Sequence, residues 1–163
     1  MSLCEWVLDD WLEFRAIAAD PEVMRYIGGG TPWTDARSRE FVERQIELFG
    51  ERQFCLWKLA PKDGGPLAGF CGLQPLRGTP DIEIGWWLAR ACWGKGLATE
   101  AARAALRDGF ERAGLSRIVS IAQPAHAASV RIMQKLGMRF ERMARAGGIP
   151  VVLYAIERAL QGR

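Results

Sequence analysis

A strand-like segment runs into a glycine loop and then into an alanine-rich helix in the stretch "DIEIGWWLARACWGKGLATEAARAAL", which begins at residue 81. Strict alternation in "DIEIGWWL" is typical of a strand, and it places Glu83 and Gly85 on the face opposite Ile84. Small residues then occupy one face of the helix and allow close packing on a sheet: Ala98, Ala101, Ala102, Ala105 and Gly109. This order of elements restricts the chain to a layered architecture of helices and sheet.

Strands and helices in a different order stand on either side of this unit. The apolar runs "QFCLWKL" and "PLAGFCGLQP" flank the turn-rich "APKDGG" and predict a hairpin. After the alanine-rich helix come the strand "RIVSIA", a helix over 127–136, and the strands "RFERM" and "PVVLYAIE". Strands joined by short turns pair antiparallel, whereas a strand, helix, strand unit needs a crossover and predicts a parallel pair. We therefore expect an α+β fold, an α/β sandwich with a mixed sheet, an antiparallel first half, a parallel strand pair around a crossover helix, and helices on both faces.

Helix signals dominate the first third of the chain. Pro21 follows Asp20 at a first helical position. The segment "TDARSREFVERQIELFG" places Phe41 and Val42 at helical spacing and predicts a helix that ends at Gly50. Because the 163 residues contain no internal repeat, linker or low-complexity segment, we expect one domain over 1–163.

Charge and sulfur content argue against several classes of function. The 22 basic and 19 acidic residues are interleaved, which argues against a nucleic-acid track. Four cysteines without a CxxC pair and one histidine are too few ligands for a zinc site, so we expect no metal. The N-terminal "MSLCEWVLDDW" does not resemble a signal peptide, and no apolar run approaches the length of about 20 residues that a bilayer requires. We therefore expect no membrane association and, from the free thiols, a cytoplasmic protein.

The opening of the alanine-rich helix is suited to an anion such as a phosphate or pyrophosphate. The first backbone N–H groups of a helix have no helical partners, and the helix dipole adds partial positive charge there. Gly94 and Gly96 allow positive φ and close approach of the backbone, while Lys95 adds a charge. A Walker loop is absent. The dinucleotide fingerprint also requires an acidic residue that binds the ribose at the end of the next strand, and that strand end, "SIAQP", has none. A dinucleotide-binding oxidoreductase is therefore disfavoured.

Taken in order, these segments resemble a known family. "DIEIGWWLARACWGKGLATEAARAAL", followed by "PAHAASVRIMQKLGM", resembles the acetyl-CoA binding core of the GNAT superfamily of N-acetyltransferases. "DPEVMRYIGGGTPWT" is similar to the early helices of the branch that acetylates N-terminal amines of ribosomal proteins, so the resemblance covers nearly the whole chain. The resemblance implies acetyl-CoA as the acetyl donor, a protein N-terminus or an amine-bearing small molecule as the acceptor, and direct transfer between them.

The resemblance also implies which residues contact coenzyme A. The family motif Q/R-x-x-G-x-G/A falls on residues 93–98, with Trp93 in the place of Gln or Arg, and the backbone N–H groups of residues 95–99 would hold the pyrophosphate. In the family the acetyl-pantetheine arm lies along the preceding strand, and His126 replaces an asparagine that contacts coenzyme A in relatives. The implied contacts are Trp86, Trp87, Leu88, Trp93, Gly94, Lys95, Gly96, Leu97, Ala98, Thr99, His126 and Ser129.

Acetyl transfer to an amine needs a base for the amine and a proton for the departing thiolate. The resemblance implies a general base at Glu83, although a carboxylate paired with an arginine on the sheet surface explains this residue equally well. Many superfamily members protonate the thiolate with a tyrosine, but Met133 stands at that position here. Ser129 is the remaining donor near the expected sulfur position, as the ribosomal-protein branch often has it.

Departures from the family pattern leave alternatives open. His126 and Met133 replace residues that many relatives use, which is also compatible with a non-catalytic acyl-CoA sensor or partner-binding module on the same fold. The N-terminus departs as well, since "MSLCEWVLDDW" is almost too short to supply the first strand that relatives have. We therefore expect an exposed sheet edge that is either open or closed by a partner chain, and a homodimer is one way to close it.

Overall fold

A computed structural model describes residues 1–159 of the chain. Its strands form one seven-stranded sheet: β1 (Ser2–Cys4), β2 (Leu56–Ala60), β3 (Gly69–Pro75), β4 (Ile82–Leu88), β5 (Arg117–Ala122), β6 (Arg139–Ala146) and β7 (Ile149–Glu157). The order across the sheet is β1-β2-β3-β4-β5-β7-β6. All neighbouring strands are antiparallel except β4 and β5, which confirms the predicted mixed sheet.

Five α-helices accompany the sheet in the described part of the chain: α1 (Trp11–Ala18), α2 (Pro21–Met24), α3 (Asp35–Arg52), α4 (Leu97–Glu111) and α5 (Ala127–Lys135). Side-chain caps fix where two of them begin. The Asp20 carboxylate accepts a hydrogen bond from the Glu22 N–H at 3.0 Å and starts α2. The Thr34 hydroxyl accepts one from the Arg37 N–H at 3.2 Å and starts α3.

Helices cover both faces of the sheet, as predicted. On one face, Phe70 of β3 and Trp87 of β4 are direct neighbours in the strand register and pack against Phe14 of α1. On the other face, α4 packs against β3 and β4 so closely that a methyl group at Gly109 would approach the Leu73 side chain to 2.9 Å. The narrow small-residue face therefore holds α4 close to the sheet and fixes the position of its N-terminal end.

The parallel pair of β4 and β5 is short. The two strands pair at one register position, where Glu83 lies opposite Val119. The hydroxyl of Ser120 adds a hydrogen bond to the Ile84 carbonyl at 3.1 Å. From there to Leu88, β4 is paired in residues 1–159 with β3 alone. The sheet thus opens between β4 and β5 on the side where β4 leads into the loop before α4.

Two details differ from the sequence-based expectations. The N-terminal residues do supply a first strand, because Ser2–Cys4 pair antiparallel with residues 58–60 of β2, so the chain itself covers that edge. Helix α3 continues past Gly50, and Gln53, with φ 62°, takes the left-handed cap position that we assigned to the glycine. The backbone and side-chain amides of Gln53 both donate to the Phe49 carbonyl, which offsets the cost of a positive φ.

Membrane spans and metal clusters are both missing from residues 1–159. None of the helices there is long and apolar enough to cross a membrane. The same residues contain no group of three or more His, Cys, Asp or Glu side chains arranged to hold a metal ion. Burial raises the pKa of the Cys55 thiol to about 12, so this thiol stays protonated and unreactive at neutral pH.

Candidate active site

The loop between β4 and α4 presents backbone N–H groups at a helix opening. Gly94 and Gly96 adopt left-handed φ values of 72° and 73°, which other residues adopt only with strain. Gly96 is the N-cap of α4, and no side chain of residues 1–159 caps the helix there. A methyl group added at either glycine would meet no atom of the same residues within 4 Å, so these glycines serve the backbone conformation rather than close packing. The N–H groups of the first turn are therefore available to an anion.

A cavity of about 590 Å³, which we name the loop cavity, lies between this loop, the end of β4, α2 and α5. Most of the predicted coenzyme A contacts line it: Trp86, Trp87, Leu88, Trp93, Gly94, Gly96, Leu97, Ala98, Thr99, His126 and Ser129. The exception is Lys95, which is exposed and does not line the cavity. Its contribution is therefore limited to its backbone N–H and to the long-range effect of its charge.

Charged residues around the loop cavity favour an anionic ligand. Three basic residues and one acidic residue lie in its wall: Arg25, Arg131, Lys135 and Glu22. At the rim, both oxygens of the Asp20 carboxylate accept hydrogen bonds from the Arg90 guanidinium, which lowers the pKa of Asp20. This ion pair joins the start of α2 to the turn before the glycine loop and so connects two walls of the cavity.

Trp93 stands at the position where the family has Gln or Arg. Its indole Nε1 donates a hydrogen bond to the Leu88 carbonyl at 3.0 Å, and 46% of the residue is exposed. The indole N–H is thus used within the chain, at the base of the loop. The Trp93 indole N–H is therefore not free to bind an anion.

A second cavity, of about 330 Å³, lies on the sheet face that carries α1 and α3, and we name it the aromatic cavity. Its wall includes Trp33, Phe41, Phe70 and Trp87. The ring centroids of Trp33 and Trp87 are 4.8 Å apart, and those of Phe70 and Trp87 are 5.0 Å apart. Several residues line both cavities, which therefore meet at these side chains: Tyr26, Ile27, Trp86, Trp87, His126 and Ser129.

Glu83 lies in the wall of the aromatic cavity, on the sheet face opposite the buried Ile84. Its Oε1 accepts a hydrogen bond from the Gln74 side-chain amide at 2.7 Å, because the two residues are directly opposite in the register of β3 and β4. Burial raises the pKa of Glu83, and the Gln74 hydrogen bond offsets part of that effect. Among residues 1–159 Glu83 takes part in no ion pair, so its carboxylate is available to a ligand in the cavity.

Ser129 and His126 form a hydrogen-bonded pair where the two cavities meet. His126 is the N-cap of α5, and its Nε2 lies 3.3 Å from the Ser129 Oγ. The imidazole stacks on the Tyr26 ring with centroids 4.9 Å apart, and burial lowers the pKa of His126. A neutral imidazole can donate one hydrogen bond to the Ser129 oxygen, which leaves the hydroxyl hydrogen free to point into the cavity. Met133 is fully buried in the core and offers no proton there.

Gln74, Tyr26 and Gln123 are among the residues of this site that were not predicted from the sequence. Gln74 follows once the hairpin register is known, since it is the residue directly opposite Glu83. Tyr26 and Gln123 carry no such signal, because their partners are distant in the chain. The Tyr26 ring stacks on the His126 imidazole, and the Gln123 side-chain amide donates a hydrogen bond to the Gly28 carbonyl at 2.7 Å.

Comparison with known families and proteins adds an independent observation. The sequence model of the acetyltransferase (GNAT) domain family matches residues 1–139 of this chain. The Bacillus subtilis protein YkkB is 33% identical over 147 residues, which cover 86% of this chain and 82% of YkkB. The N-acetyltransferase YnaD of the same organism is 32% identical over 137 residues, which cover 84% of this chain and 78% of YnaD.

Solved acetyltransferase structures share the fold. A GNAT-family acetyltransferase from Bacillus anthracis has a TM-score of 0.80 at 29% identity, covering 95% of this chain and 93% of that one. RimL, a ribosomal L7/L12 α-N-protein acetyltransferase in complex with coenzyme A, has a TM-score of 0.78 at 15% identity, covering 95% and 92%. The aminoglycoside acetyltransferase AAC(6')-Ib, also with coenzyme A, has 0.78 at 16%, covering 96% and 94%. At these last two identities the likeness concerns the fold alone.

Proposed function

The chain belongs to the GNAT acetyltransferase family and is an acyltransferase, and from this premise we propose that it transfers an acetyl group directly from acetyl-CoA to a primary amine. The amine belongs to a small molecule or to a protein N-terminus. One observation carries the proposal: the loop cavity and the aromatic cavity share lining residues, Ser129 among them. A donor in one cavity and an acceptor in the other would have their reacting groups close together at that boundary.

The loop cavity suits the donor in charge, size and shape. Coenzyme A is an anion with several phosphate groups, and the cavity combines three basic side chains with the opening of α4. Its volume of about 590 Å³ is in the ordinary range for a cofactor site. The pantetheine arm can lie along the edge of β4 that has no strand partner beyond Glu83 within residues 1–159. When bound, acetyl-CoA supplies the activated thioester.

Glu83 and Ser129 carry the proton transfers in this proposal. Glu83 takes a proton from the amine, whose nitrogen forms a bond to the acetyl carbon. As the bond from that carbon to sulfur breaks, the Ser129 hydroxyl gives its proton to the departing thiolate, and His126 orients the hydroxyl through its Nε2. Ser129 regains a proton and Glu83 releases one to solvent, so that the net products are an amide and a free thiol.

Calorimetric titration with acetyl-CoA tests the donor, with NADH and ATP as controls. We expect saturable one-site binding of acetyl-CoA alone. No binding would overturn the proposal, and saturable binding of NADH in its place would indicate a dinucleotide site. Release of thiol from acetyl-CoA with a panel of primary amines tests turnover. Binding without thiol release for any amine would identify an acyl-CoA sensor or partner-binding module and refute the transferase.

A further inference from the structure

We infer that the acceptor is a small primary amine with an aromatic or similarly flat apolar body and one anionic group, and that polycations are poor acceptors. This inference rests on the proposed function, since it names the acceptor of the same site. It is drawn from the side chains of the aromatic cavity, and it separates acceptor classes that the fold alone accommodates.

Aromatic rings form a continuous wall in the aromatic cavity. Trp87 is packed between Phe70, at 5.0 Å, and Trp33, at 4.8 Å, measured between ring centroids. Phe41 lies 5.1 Å from Phe70 and 5.8 Å from Trp33, which closes the group on the α3 side. Trp33, Phe41 and Trp87 are only partly buried, so part of each side chain remains accessible to a ligand. Such a wall gains most from a ligand that offers a flat apolar surface.

Charged groups in the aromatic cavity are few and of opposite sign. Among residues 1–159, Glu83 is the one acidic side chain that lines it, and Arg44 is the one arginine or lysine. Arg44 is exposed and takes part in no ion pair within the described part of the chain. Arg37, Phe41 and Arg44 follow one another on α3 at spacings of four and three residues and so share one helix face. Arg37 itself lies over the Trp33 ring, 4.4 Å from its centroid.

This distribution of charge favours an acceptor with one amine and one anionic group. The amine is directed to Glu83 and Ser129, and the anionic group of the same molecule pairs with Arg44. A polyamine or aminoglycoside would bring further ammonium groups into a cavity to which residues 1–159 contribute no second carboxylate. Those groups would lose hydration against aromatic rings or face Arg37 and Arg44, and both arrangements are unfavourable.

The volume of about 330 Å³ is at the lower end for ligand pockets, which suits a compact acceptor. A free amino acid and the first residue of a peptide share the required amine and side chain, and they differ in the carboxylate. Phenylalanine, phenethylamine and a phenylalanyl-alaninamide dipeptide therefore separate the two sources. Spermidine represents the polycations in the same assay.

Steady-state thiol release with these four amines is the first test. We expect kcat/KM for phenylalanine to exceed that for phenethylamine by about three- to tenfold, because of the ion pair with Arg44. We expect spermidine to be at least about tenfold poorer than phenethylamine. A dipeptide better than phenylalanine would overturn the requirement for an anionic group and indicate a peptide N-terminus.

Substitutions on α3 provide the matched comparison. Arg44→Gln should lower kcat/KM for phenylalanine by about three- to tenfold more than for phenethylamine and so remove the advantage of phenylalanine. Arg39→Gln is the control, since Arg39 is exposed on the same helix, pairs with Glu43 at 3.1 Å and does not line the cavity. An equal loss for both amines in Arg44→Gln, with thermal stability unchanged, would overturn the role of Arg44.

Failure of this inference is distinguishable from failure of the proposed function. Rapid acetylation of spermidine would refute the inference and support the transferase. Thiol release with none of the amines would refute the transferase, and calorimetry of phenylalanine against spermidine in the protein saturated with coenzyme A would then decide the inference by itself. Saturable binding of phenylalanine alone supports it, whereas binding of spermidine, or of neither amine, overturns it.

Discussion

The loop cavity and the aromatic cavity share a boundary, yet they are built in different ways. The loop cavity is made largely of two continuous segments, residues 86–99 and 125–135, and the part suited to an anion is backbone around two glycines. The aromatic cavity takes side chains from segments spread between Tyr26 and Val151. A site made of backbone tolerates the replacement of a side chain such as Trp93, whereas a site made of side chains changes its ligand with each substitution. Under the proposed function, backbone conformation would hold the donor and side-chain chemistry would select the acceptor.

Glu83→Gln is the substitution with the largest expected effect. It should reduce turnover, which depends on the aromatic cavity, without changing donor binding in the loop cavity. We expect kcat to fall by about 10²- to 10³-fold, since general-base catalysis is lost. Acetyl-CoA affinity should stay within about twofold of wild type, because Glu83 lines only the aromatic cavity. Glu111→Gln, at the exposed C-terminal end of α4, is the control for removal of one carboxylate. Equal losses in turnover and donor affinity would indicate a structural role for Glu83.

The pH dependence of activity should report the same carboxylate. A base acts when it is deprotonated, so kcat/KM should fall at acid pH with an apparent pKa above the ordinary value for glutamate, since burial raises the pKa of Glu83. The folded state then binds more protons than the unfolded state between the two pKa values, and stability decreases as pH rises through that window. The melting temperature of wild type should therefore drop relative to Glu83→Gln as pH rises from 4 to 7. A constant difference in melting temperature would contradict the raised pKa.

Gly96→Val should act on the loop cavity instead and reduce the affinity for the donor. We expect the Kd for acetyl-CoA to rise by at least about tenfold, since a β-branched residue does not hold φ at 73° without strain and the loop changes conformation. Gly114→Val is the matched control, because Gly114 has φ 69° and open space around it, and it follows the other end of the same helix. Both variants should lose similar stability, measured by thermal unfolding. Normal donor binding by Gly96→Val would mean that the glycine loop does not hold the anion.

Ser129→Ala should have an intermediate effect, because Ser129 lies on the boundary of the two cavities. We expect kcat to fall by about tenfold with donor and acceptor affinities nearly unchanged, since water can replace the proton donor in part. Ser38→Ala is the control: Ser38 is fully buried and its hydroxyl has no hydrogen-bond partner within residues 1–159. That variant should keep full activity. A value of kcat in Ser129→Ala equal to wild type would remove Ser129 from the chemistry.

Lys95→Gln should have the smallest effect. It tests whether backbone N–H groups or the Lys95 side chain hold the anion. Lys95 is exposed and does not line the loop cavity, so its charge is screened by solvent and salt. We expect the Kd for acetyl-CoA to rise by no more than about threefold, and less at high ionic strength. The calorimetric control is Lys62→Gln in the exposed turn between β2 and β3. A loss of affinity above about tenfold would show that a side chain, and not only the backbone, holds the anion.

The fold and the loop cavity were accessible to sequence analysis because their signals are local. The alternation of β4, the glycines before α4 and the small residues of its inner face lie within one stretch of the chain. Local signals failed where a competing local interaction was overlooked. Gly50 remained helical because Gln53 offers two amides to one carbonyl, and three N-terminal residues were enough to form β1.

Most of the aromatic cavity was not accessible from the sequence, because its geometry depends on packing between distant segments. Phe41 was expected on a helix, but the arrangement of Trp33 and Phe41 around Trp87 depends on how α3 crosses the sheet. The stack of His126 on Tyr26 joins residues a hundred positions apart. Glu83 takes part in no ion pair within residues 1–159, and this depends on where every charged side chain of the fold lies. Sequence reasoning could therefore name Glu83 as a candidate base and leave its surroundings open.

One edge of β4 has no strand partner beyond Glu83 in residues 1–159. Because of this edge, binding of the donor would affect the stability of the folded state. Backbone amides on such an edge exchange hydrogen with solvent, whereas amides bonded to β3 are protected. A donor that lies along the edge would complete the ladder, slow that exchange and stabilise the folded state by mass action. Resistance to proteolysis would then rise and fall with the concentration of acyl donor, so that the abundance of the protein follows the supply of its own substrate.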